Sequence, residues 1–175
     1  MGPESTRERF DRIVVVLLDD AYTLARYLTR DEHSAQDVVQ EAYLRAWRHF
    51  ATFRGDDARH WLLTIVRNCA YTWRRGQRAS LRSIEYVDDE HTDVGNAHSS
   101  ADAQLLEEAG RTEVHLALEQ LSPEFREVIV LREMEGMSYK EIGRVTGTPI
   151  GTVMSRLARA RRQLRDALRI GGESA

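Results

Sequence analysis

The strongest constraint on the fold of this chain is the stretch from Ser138 to Arg162, which reads SYKEIGRVTGTPIGTVMSRLARARR. Ser138 and Glu141 have the spacing of a capping box, in which two side chains satisfy free backbone N–H groups at a helix start. Gly147 stands where a turn requires a left-handed residue, and Pro149 then presets φ for a new helix. The order of these residues predicts a helix-turn-helix.

Both helices of this motif carry inward-facing apolar residues. Ile142 and Val145 face inward from the first helix, while Val153 and Leu157 give the second helix its buried stripe. Gly143 lies where the second helix must cross the first at close range. The spacing therefore predicts two short helices packed against each other across a tight turn.

The outward face of the second helix is basic, and the arginine run that follows it contains a single acid, Asp166. We interpret this as a helix that reads duplex DNA. The alternative is an ordinary helix pair with a solvated charged face, and Thr146 and Thr148 occupy positions where apolar residues are more usual. The residues predicted to point outward are Thr152, Met154, Ser155, Ala158 and Arg159.

The composition of the 175 residues allows one large or two small domains and excludes an internal disulfide, because Cys69 is the only cysteine. The longest apolar run, Ile13 to Leu18, is far too short to span a bilayer, and the first ten residues lack the apolar core of a signal peptide. We therefore expect a soluble, cytoplasmic protein with no membrane insertion of its own.

Charge is distributed unevenly along the chain, although the formal net charge is only −3. Residues 1–80 carry a net charge of +2, residues 81–125 of −9 and residues 126–175 of +4. Two neutral to basic blocks thus flank an acidic middle. Residues 80–103 within it have no hydrophobic periodicity and are predicted to be a flexible acidic linker.

The first block reads as three helices. Apolar residues recur at helical spacing over residues 7–30, although Ile13–Val16 alone would also suit a strand. A second helix is predicted to begin at Ser34 as its cap. Its apolar stripe includes Val39, Tyr43, Ala46, Trp47 and Phe50, and another face carries Asp37, Gln40, Glu41, Leu44 and Arg48. Spacing alone does not distinguish two interpretations of that polar face. It fits a surface that docks on a partner as well as it fits the ordinary solvent-exposed side of a helix.

A third helix is predicted to start near Ala58, capped by Asp56 or Asp57. Arginines, Asn68 and Tyr71 on this helix are residue types that suit unpaired nucleic acid, because Arg holds phosphates while aromatic rings accept unstacked bases. We expect its other aromatic and sulfur-containing residues to be structural rather than functional. They are Trp61 and Trp73, predicted to pack in the core, and Cys69, predicted to be buried rather than a redox sensor.

Helical periodicity resumes near Gln104, and Ser122-Pro123-Glu124 predicts a further helix that runs to Gly136. The chain shows no catalytic constellation and no phosphate-binding loop, and its six histidines have no metal-ligand spacing with each other or with Cys69. We therefore predict no catalytic site, no metal and no cofactor.

Three stretches together resemble the extracytoplasmic-function (ECF) sigma factors of the sigma-70 family. They are DVVQEAYLRAWRHFATFRG, WLLTIVRNCAYTWRR and LSPEFREVIVLREMEGMSYKEIGRVTGTPIGTVMSRLARARRQL. The resemblance implies an all-α protein with a region 2-like domain at residues 7–79, the linker at 80–103 and a region 4-like helix-turn-helix domain at 104–170. It also implies a transcription initiation factor that directs core RNA polymerase to promoters in a stress or envelope response.

The resemblance assigns roles to residues as well. Docking on the clamp helices of the polymerase's largest subunit falls to Asp37, Gln40, Glu41, Leu44 and Arg48. Capture and melting of the minus-ten element falls to Phe53, Arg54, Gly55, Asp56, Asn68, Tyr71, Arg74 and Arg75. Reading of the minus-thirty-five element falls to Arg132, Thr152, Met154, Ser155, Arg156, Ala158 and Arg159, of which Met154 and Ala158 depart from the family's usual residues.

The partners implied by the resemblance are core RNA polymerase, through its clamp helices and flap, promoter DNA and an anti-sigma factor. Two other functional classes stay open at this stage. A dimeric helix-turn-helix repressor or activator would use the C-terminal motif alone, and a nucleic-acid enzyme would need a constellation that the sequence does not show.

Overall fold

The computed structural model describes residues 4–55, 57–84 and 113–172, and these residues form helices joined by short turns, with no β-strand among them. The all-α prediction is confirmed. None of the described helices is long and apolar enough to cross a membrane. The helices are α1 (Thr6–Ile13), α2 (Leu18–Thr29), α3 (Glu32–His49), α4 (Ala58–Ile84), α5 (113–120), α6 (Pro123–Ile129), α7 (Tyr139–Thr146) and α8 (Ile150–Gly172).

Helices α1–α4 form the N-terminal domain, and its first segment differs from the single helix predicted over residues 7–30. The chain turns at Val14 and passes through a short 3₁₀ helix, Val15–Leu17, before α2 begins. Val14 is fully buried, and its carbonyl accepts a hydrogen bond from the Tyr43 hydroxyl at 2.9 Å. The turn is therefore stabilised by a hydrogen bond from a residue of α3, which is distant in the sequence. The local periodicity of residues 7–30 could not reveal this contact.

The start of α3 also differs from the prediction, because Asp31 rather than Ser34 is its N-cap. The Asp31 carboxylate accepts hydrogen bonds from the Ser34 backbone N–H at 2.8 Å and from the Ser34 hydroxyl at 2.7 Å. These bonds lower the pKa of Asp31. The preceding residue, Arg30, has a left-handed φ of 66°, which ends α2. The predicted cap was therefore placed three residues too late.

Helix α4 begins as predicted, with the Asp57 carboxylate accepting from the backbone N–H of His60 at 3.1 Å. It runs past residue 79, the predicted end of the first domain, to Ile84. The remainder of the predicted linker, residues 85–103, and the predicted helix start at Gln104 lie outside the described residues.

Cys69 is buried in the core, as predicted, and burial raises the pKa of its thiol.

Helices α5–α8 form the C-terminal domain, which contains the predicted helix-turn-helix. The capping box of Ser138 and Glu141 is present, and Gly147 ends α7 with a left-handed φ of 66°. The two threonines at unusual positions have a structural role. The hydroxyl of the buried Thr146 donates to the Ile142 carbonyl at 2.8 Å and lies 2.8 Å from the Thr148 hydroxyl. Their polar atoms are therefore satisfied within the turn.

Helix α6 begins after Ser122 with Pro123, as predicted, but its continuation is not a regular α-helix. Residues Val130–Met134 form a π-helical turn, closed by the Glu135 N–H on the Val130 carbonyl at 3.1 Å. The wider turn places the Glu135 carboxylate 2.6 Å from the Arg59 guanidinium of α4. The π turn thus connects the second domain to the first.

The two domains pack against each other through what we call the interdomain joint, formed by two neighbouring residues of α6. Arg126 is only 2% exposed, and its guanidinium donates to the carbonyls of Leu118, Glu119 and Leu121 at 2.7–2.8 Å and to that of Tyr27 on α2 at 3.1 Å. Desolvation lowers the pKa of Arg126 to about 10. One side chain therefore caps the end of α5 and reaches the end of α2.

The other joint residue, Glu127, is fully buried. Arg67 of α4 donates to its carboxylate at 2.8 and 3.3 Å, and Arg156 of α8 lies 3.6 Å away in an ion pair. Arg67 also stacks over the Tyr71 ring, 4.4 Å from its centroid. The carboxylate thus holds one arginine from each domain.

The backbone at Gly143 leaves no room for a side chain, which makes a matched pair of glycine substitutions informative. An added Cβ would lie 2.9 Å from the Thr148 carbonyl oxygen, whereas a Cβ at Gly151 would meet nothing within 4 Å. We expect Gly143→Ala to destabilise the helix-turn-helix by about 1–3 kcal/mol through overpacking. Gly151→Ala should be neutral or stabilising by up to about 1 kcal/mol. Urea denaturation followed by circular dichroism measures both, and equal midpoints would contradict the close approach.

Candidate nucleic-acid interface

The polar face predicted on the second helix lies on α3 and is accessible to solvent. Asp37, Gln40, Leu44 and Arg48 are exposed and Glu41 is half-buried, with its carboxylate 2.6 Å from the Arg45 guanidinium. Leu44 is 47% exposed although its neighbours are polar. We call these five residues the α3 face. They share one side of a helix, as predicted.

A cleft runs along each side of the α3 face. Between α2 and α3, a cleft of about 420 Å³ is lined by Leu18, Tyr22, Val39 and Tyr43 among others. Between α3 and α4, a cleft of about 260 Å³ includes the side chains of Asp37 and Glu41. The α3 face is therefore a ridge between two grooves, a shape that can engage a partner's helices from both sides.

Trp47, predicted to be in the buried stripe, is 45% exposed but packs edge-on against Phe10 at 5.1 Å.

The loop between α3 and α4 forms an open cleft of about 520 Å³, which we call the loop cleft. The Phe53 ring packs against that of Trp61, with centroids 4.6 Å apart, so both aromatics line the cleft while also contacting the core. Arg54 and Gly55 are exposed beside it, and Asp56 lies outside the described residues. The remaining lining residues are Thr52, Asp57, His60, Thr64 and Arg144.

Of the predicted contacts on α4, only some face solvent. Asn68 and Arg75 are exposed, whereas Arg74 is half-buried and donates to the Leu28 carbonyl at 3.1 Å. Tyr71 is also half-buried, and burial together with the Glu127 charge raises the pKa of its hydroxyl. The structure thus places Asn68 and Arg75 where nucleic acid can reach them. Tyr71 and Arg74 contact other parts of the protein.

The predicted DNA-reading face of α8 is exposed for most of its length. Met154, Ser155, Ala158 and Arg159 are exposed and Thr152 is half-exposed. Arg156 differs, because it is half-buried and paired with Glu127. The seventh predicted residue, Arg132, is anchored by a hydrogen bond from its guanidinium to the Met137 carbonyl at 2.7 Å and lies over the Tyr139 ring.

Sequence reasoning missed the residues that connect these surfaces. Glu127 and Arg126 stand between apolar residues of α6, and periodicity gives no sign that both charges are buried. Arg144 of α7 was not predicted to line the loop cleft, because the motif identifies its helix but not what lies across from it. Only the packing of the two domains brings these groups together.

The chain matches two family models, sigma-70 region 2 over residues 13–80 and sigma-70 region 4 over residues 111–164. It is 32% identical over 167 residues to the ECF RNA polymerase sigma factor SigE of Mycolicibacterium smegmatis, covering 95% of this chain and 64% of that relative. It is 35% identical over 170 residues to the RNA polymerase sigma-H factor of Pseudomonas aeruginosa, covering 93% and 87%.

A solved structure has the same fold. The sigma factor RpoE in complex with the anti-sigma factor NepR from Bartonella quintana aligns with a TM-score of 0.74 and 29% identity, covering 93% of this chain and 98% of that chain. The resemblance noted from the sequence motifs is thereby confirmed. At this coverage the alignment includes residues of both domains.

The buried carboxylate of the interdomain joint supplies a testable consequence. Glu127→Gln removes the charge that neutralises Arg67 and Arg156. Loss of one partner of a buried ion pair lowers the free energy of unfolding by about 3 kcal/mol, because the other partner is left as an unpaired buried charge. We expect the domains to separate, with a larger radius of gyration in small-angle X-ray scattering. Glu133→Gln is the matched control, because its ion pair with Arg161 is half-exposed and worth less than about 1 kcal/mol. Identical scattering from both variants would contradict the role of Glu127.

Proposed function

The chain belongs to the extracytoplasmic-function sigma factors of the sigma-70 family, and we propose that it initiates transcription through three separate surfaces. The α3 face docks on core RNA polymerase, the loop cleft with Asn68 captures the minus-ten element, and the exposed face of α8 reads the minus-thirty-five element. The observation that carries the proposal is the presence of both matched regions on one chain, each in its own helical domain. A dimeric repressor would need only the second.

The α3 face has the properties of a protein interface. Leu44 is an exposed apolar residue surrounded by polar side chains, and the grooves on either side offer apolar walls. Exposed apolar surface with a polar rim is typical of protein–protein contacts. We assign this face to the clamp helices of the polymerase's largest subunit, the assignment that the family resemblance implies.

The loop cleft has the shape and the walls needed to hold an unpaired base. Its aromatic rings can stack on a base, and the hydroxyls of Thr52 and Thr64 and the guanidinium of Arg54 can hydrogen-bond its edge. Extruding a base from a duplex costs a few kcal/mol, which specific contacts in the cleft can offset. Strand separation then proceeds through binding energy, and we propose that the chain acts without catalysis of its own.

The exposed face of α8 is suited to the major groove of a duplex, which admits one α-helix. Ser155 and Arg159 supply hydrogen-bonding groups, while Met154 and Ala158 supply only apolar surface. The apolar residues can contact a thymine methyl group but cannot bind a base edge by hydrogen bonds. We therefore propose that Arg159 makes the main charged contact and that promoter preference differs from that of relatives at the bases opposite Met154 and Ala158.

The partners follow from the same family membership. Core RNA polymerase and promoter DNA are the partners of a sigma factor, so we propose that this chain works in the cytoplasm. The RpoE neighbour is bound to the anti-sigma factor NepR. We propose that this chain too is held inactive by an anti-sigma factor until its inducing signal arrives.

Transcript mapping with core RNA polymerase tests the function and the docking face together. Core supplemented with the wild-type chain should initiate at promoters where core alone does not. The Asp37→Lys, Glu41→Lys double variant should lose this activity and bind core at least about 10-fold more weakly, because two charges of the α3 face are reversed. Asp11→Lys, a charge reversal of an exposed acid on α1, serves as the control. New initiation by neither protein would refute the function, whereas full activity of the double variant would refute the docking face alone.

The assignment of Asn68 predicts a defect in a single step. Asn68→Ala should reduce promoter opening about 10-fold, the equivalent of one hydrogen bond to a base, and leave closed-complex formation unchanged. Permanganate reactivity of unpaired thymines reports opening, and filter binding at low temperature reports the closed complex. The exposed Gln77 on the same helix provides the control variant Gln77→Ala. An equal loss in both steps would show that Asn68 is structural.

A further inference from the structure

The loop cleft is bordered by both domains, because α7 of the C-terminal domain packs against the start of α4. A side-chain atom of Glu141, in the first turn of α7, lies within 4.8 Å of one atom each from Asp57 and His60. Arg144 follows on α7 and is one of the residues that line the loop cleft. The cleft proposed to hold a base of the minus-ten element is therefore a composite of the two domains.

The charges that the N-terminal domain contributes to this cleft cancel. Among the described lining residues of that domain, Arg54 carries one positive charge and Asp57 one negative charge, with histidine counted as neutral. Each nucleotide of a single strand carries a negative phosphate, so a groove that holds the strand needs a surplus of positive charge. Arg144 is the lining residue that supplies this surplus, and it comes from the other domain.

The guanidinium of Arg144 is accessible to a phosphate. The residue is exposed and forms no ion pair with another described residue. The neighbouring acids are engaged at the helix starts. The Asp57 carboxylate accepts from the backbone N–H of His60 at 3.1 Å. The Glu141 carboxylate accepts from the backbone N–H of Ser138 at 2.6 Å. An unpaired guanidinium beside a cleft with aromatic walls is placed to bind the backbone of a strand whose base enters that cleft.

We propose that the chain, with its domains packed as described, binds a single DNA strand at the loop cleft and that Arg144 of the C-terminal domain holds a phosphate of that strand. The inference rests on the proposed function of the loop cleft and adds to it a contact from the opposite domain. Phe53 and Trp61 supply the surface on which a base stacks, while Arg144 supplies the backbone contact. The contact exists only while α7 lies against α4, so it is lost when the domains separate.

Strand binding is linked to the packing of the domains. A strand that contacts both domains binds their packed arrangement more tightly than the separated one, and it therefore stabilises the packed arrangement by mass action. The linkage is reciprocal, so the interdomain joint raises the affinity of the cleft for a strand. A change that opens the joint should weaken strand binding even though it alters no residue of the cleft.

Fluorescence anisotropy of a labelled strand of ten thymidines, titrated with the full chain at several salt concentrations, tests the contact. Arg144→Ala should bind the strand about 5-fold more weakly than the wild type, as expected for loss of one exposed ionic contact. The slope of log affinity against log salt should become shallower by about 0.7, the value for one phosphate contact on a single strand. Arg165→Ala is the matched control, because it removes the same charge from an exposed position of α8 that does not line the cleft. It should bind like the wild type.

A double-variant cycle tests the dependence on domain packing. Glu127→Gln, which we expect to separate the domains, should weaken strand binding by about as much as Arg144→Ala. Adding Arg144→Ala to Glu127→Gln should cause no further loss, because the contact is already gone. A full additional loss in the double variant would overturn the composite site, since Arg144 would then act in separated domains.

The remaining outcomes separate this inference from the proposed function of the cleft. Unchanged binding by Arg144→Ala, or no binding by the wild type, would overturn the inference. Tighter binding by Arg144→Ala would also overturn it, because the side chain would then obstruct the cleft. Weaker binding by Arg54→Ala alone would leave the loop cleft as the strand site while removing Arg144 from it. No effect of either variant on a strand that binds would refute both assignments.

Discussion

The arrangement of the whole molecule depends on one buried carboxylate. Glu127 has no exposed surface, and a buried charge is tolerated only when it is paired and hydrogen-bonded. Its partners come from α4 of one domain and α8 of the other, so the charge is neutralised only while both helices are in place. The neighbouring Arg126 reinforces the same geometry through backbone carbonyls of α2 and α5. The position of α6 is therefore fixed by electrostatics as well as by apolar packing.

The joint has a direct consequence for the proposed DNA-binding surfaces. Tyr71, proposed for the minus-ten element, and Arg156, proposed for the minus-thirty-five element, both lie against Glu127, as does Arg67 of α4. Arg144 meanwhile lines the loop cleft from the opposite domain. The described arrangement thus occupies part of each surface with contacts inside the protein. We propose that promoter binding separates the domains, a step that would release the arginines paired with Glu127.

Local sequence patterns predicted the elements well, because their causes are local. The capping box at Ser138, the left-handed Gly147 and the Pro123 start each depend on residues a few positions apart, and all are present. The patterns failed where a distant group intervenes. Tyr43 binds the carbonyl of Val14 where the chain turns between α1 and α2, and Glu135 reaches Arg59 through a π turn that the apolar spacing does not encode. The exposed residues of the candidate site were predictable for the same local reason, whereas its buried partners were not.

Two arginines of α8 are engaged in ion pairs inside the protein and are not free to contact DNA. Affinity for a duplex grows with the number of side chains that neutralise phosphates, since each releases condensed counterions. Arg156 is paired with Glu127 and Arg161 with Glu133, so two of the helix's positive charges are already neutralised. Met154 and Ala158 contribute no charge where a larger or basic side chain would be used. The helix therefore has fewer unpaired charges in this arrangement than its arginine content indicates. We propose that separation of the domains would free Arg156, which the joint holds, for a phosphate.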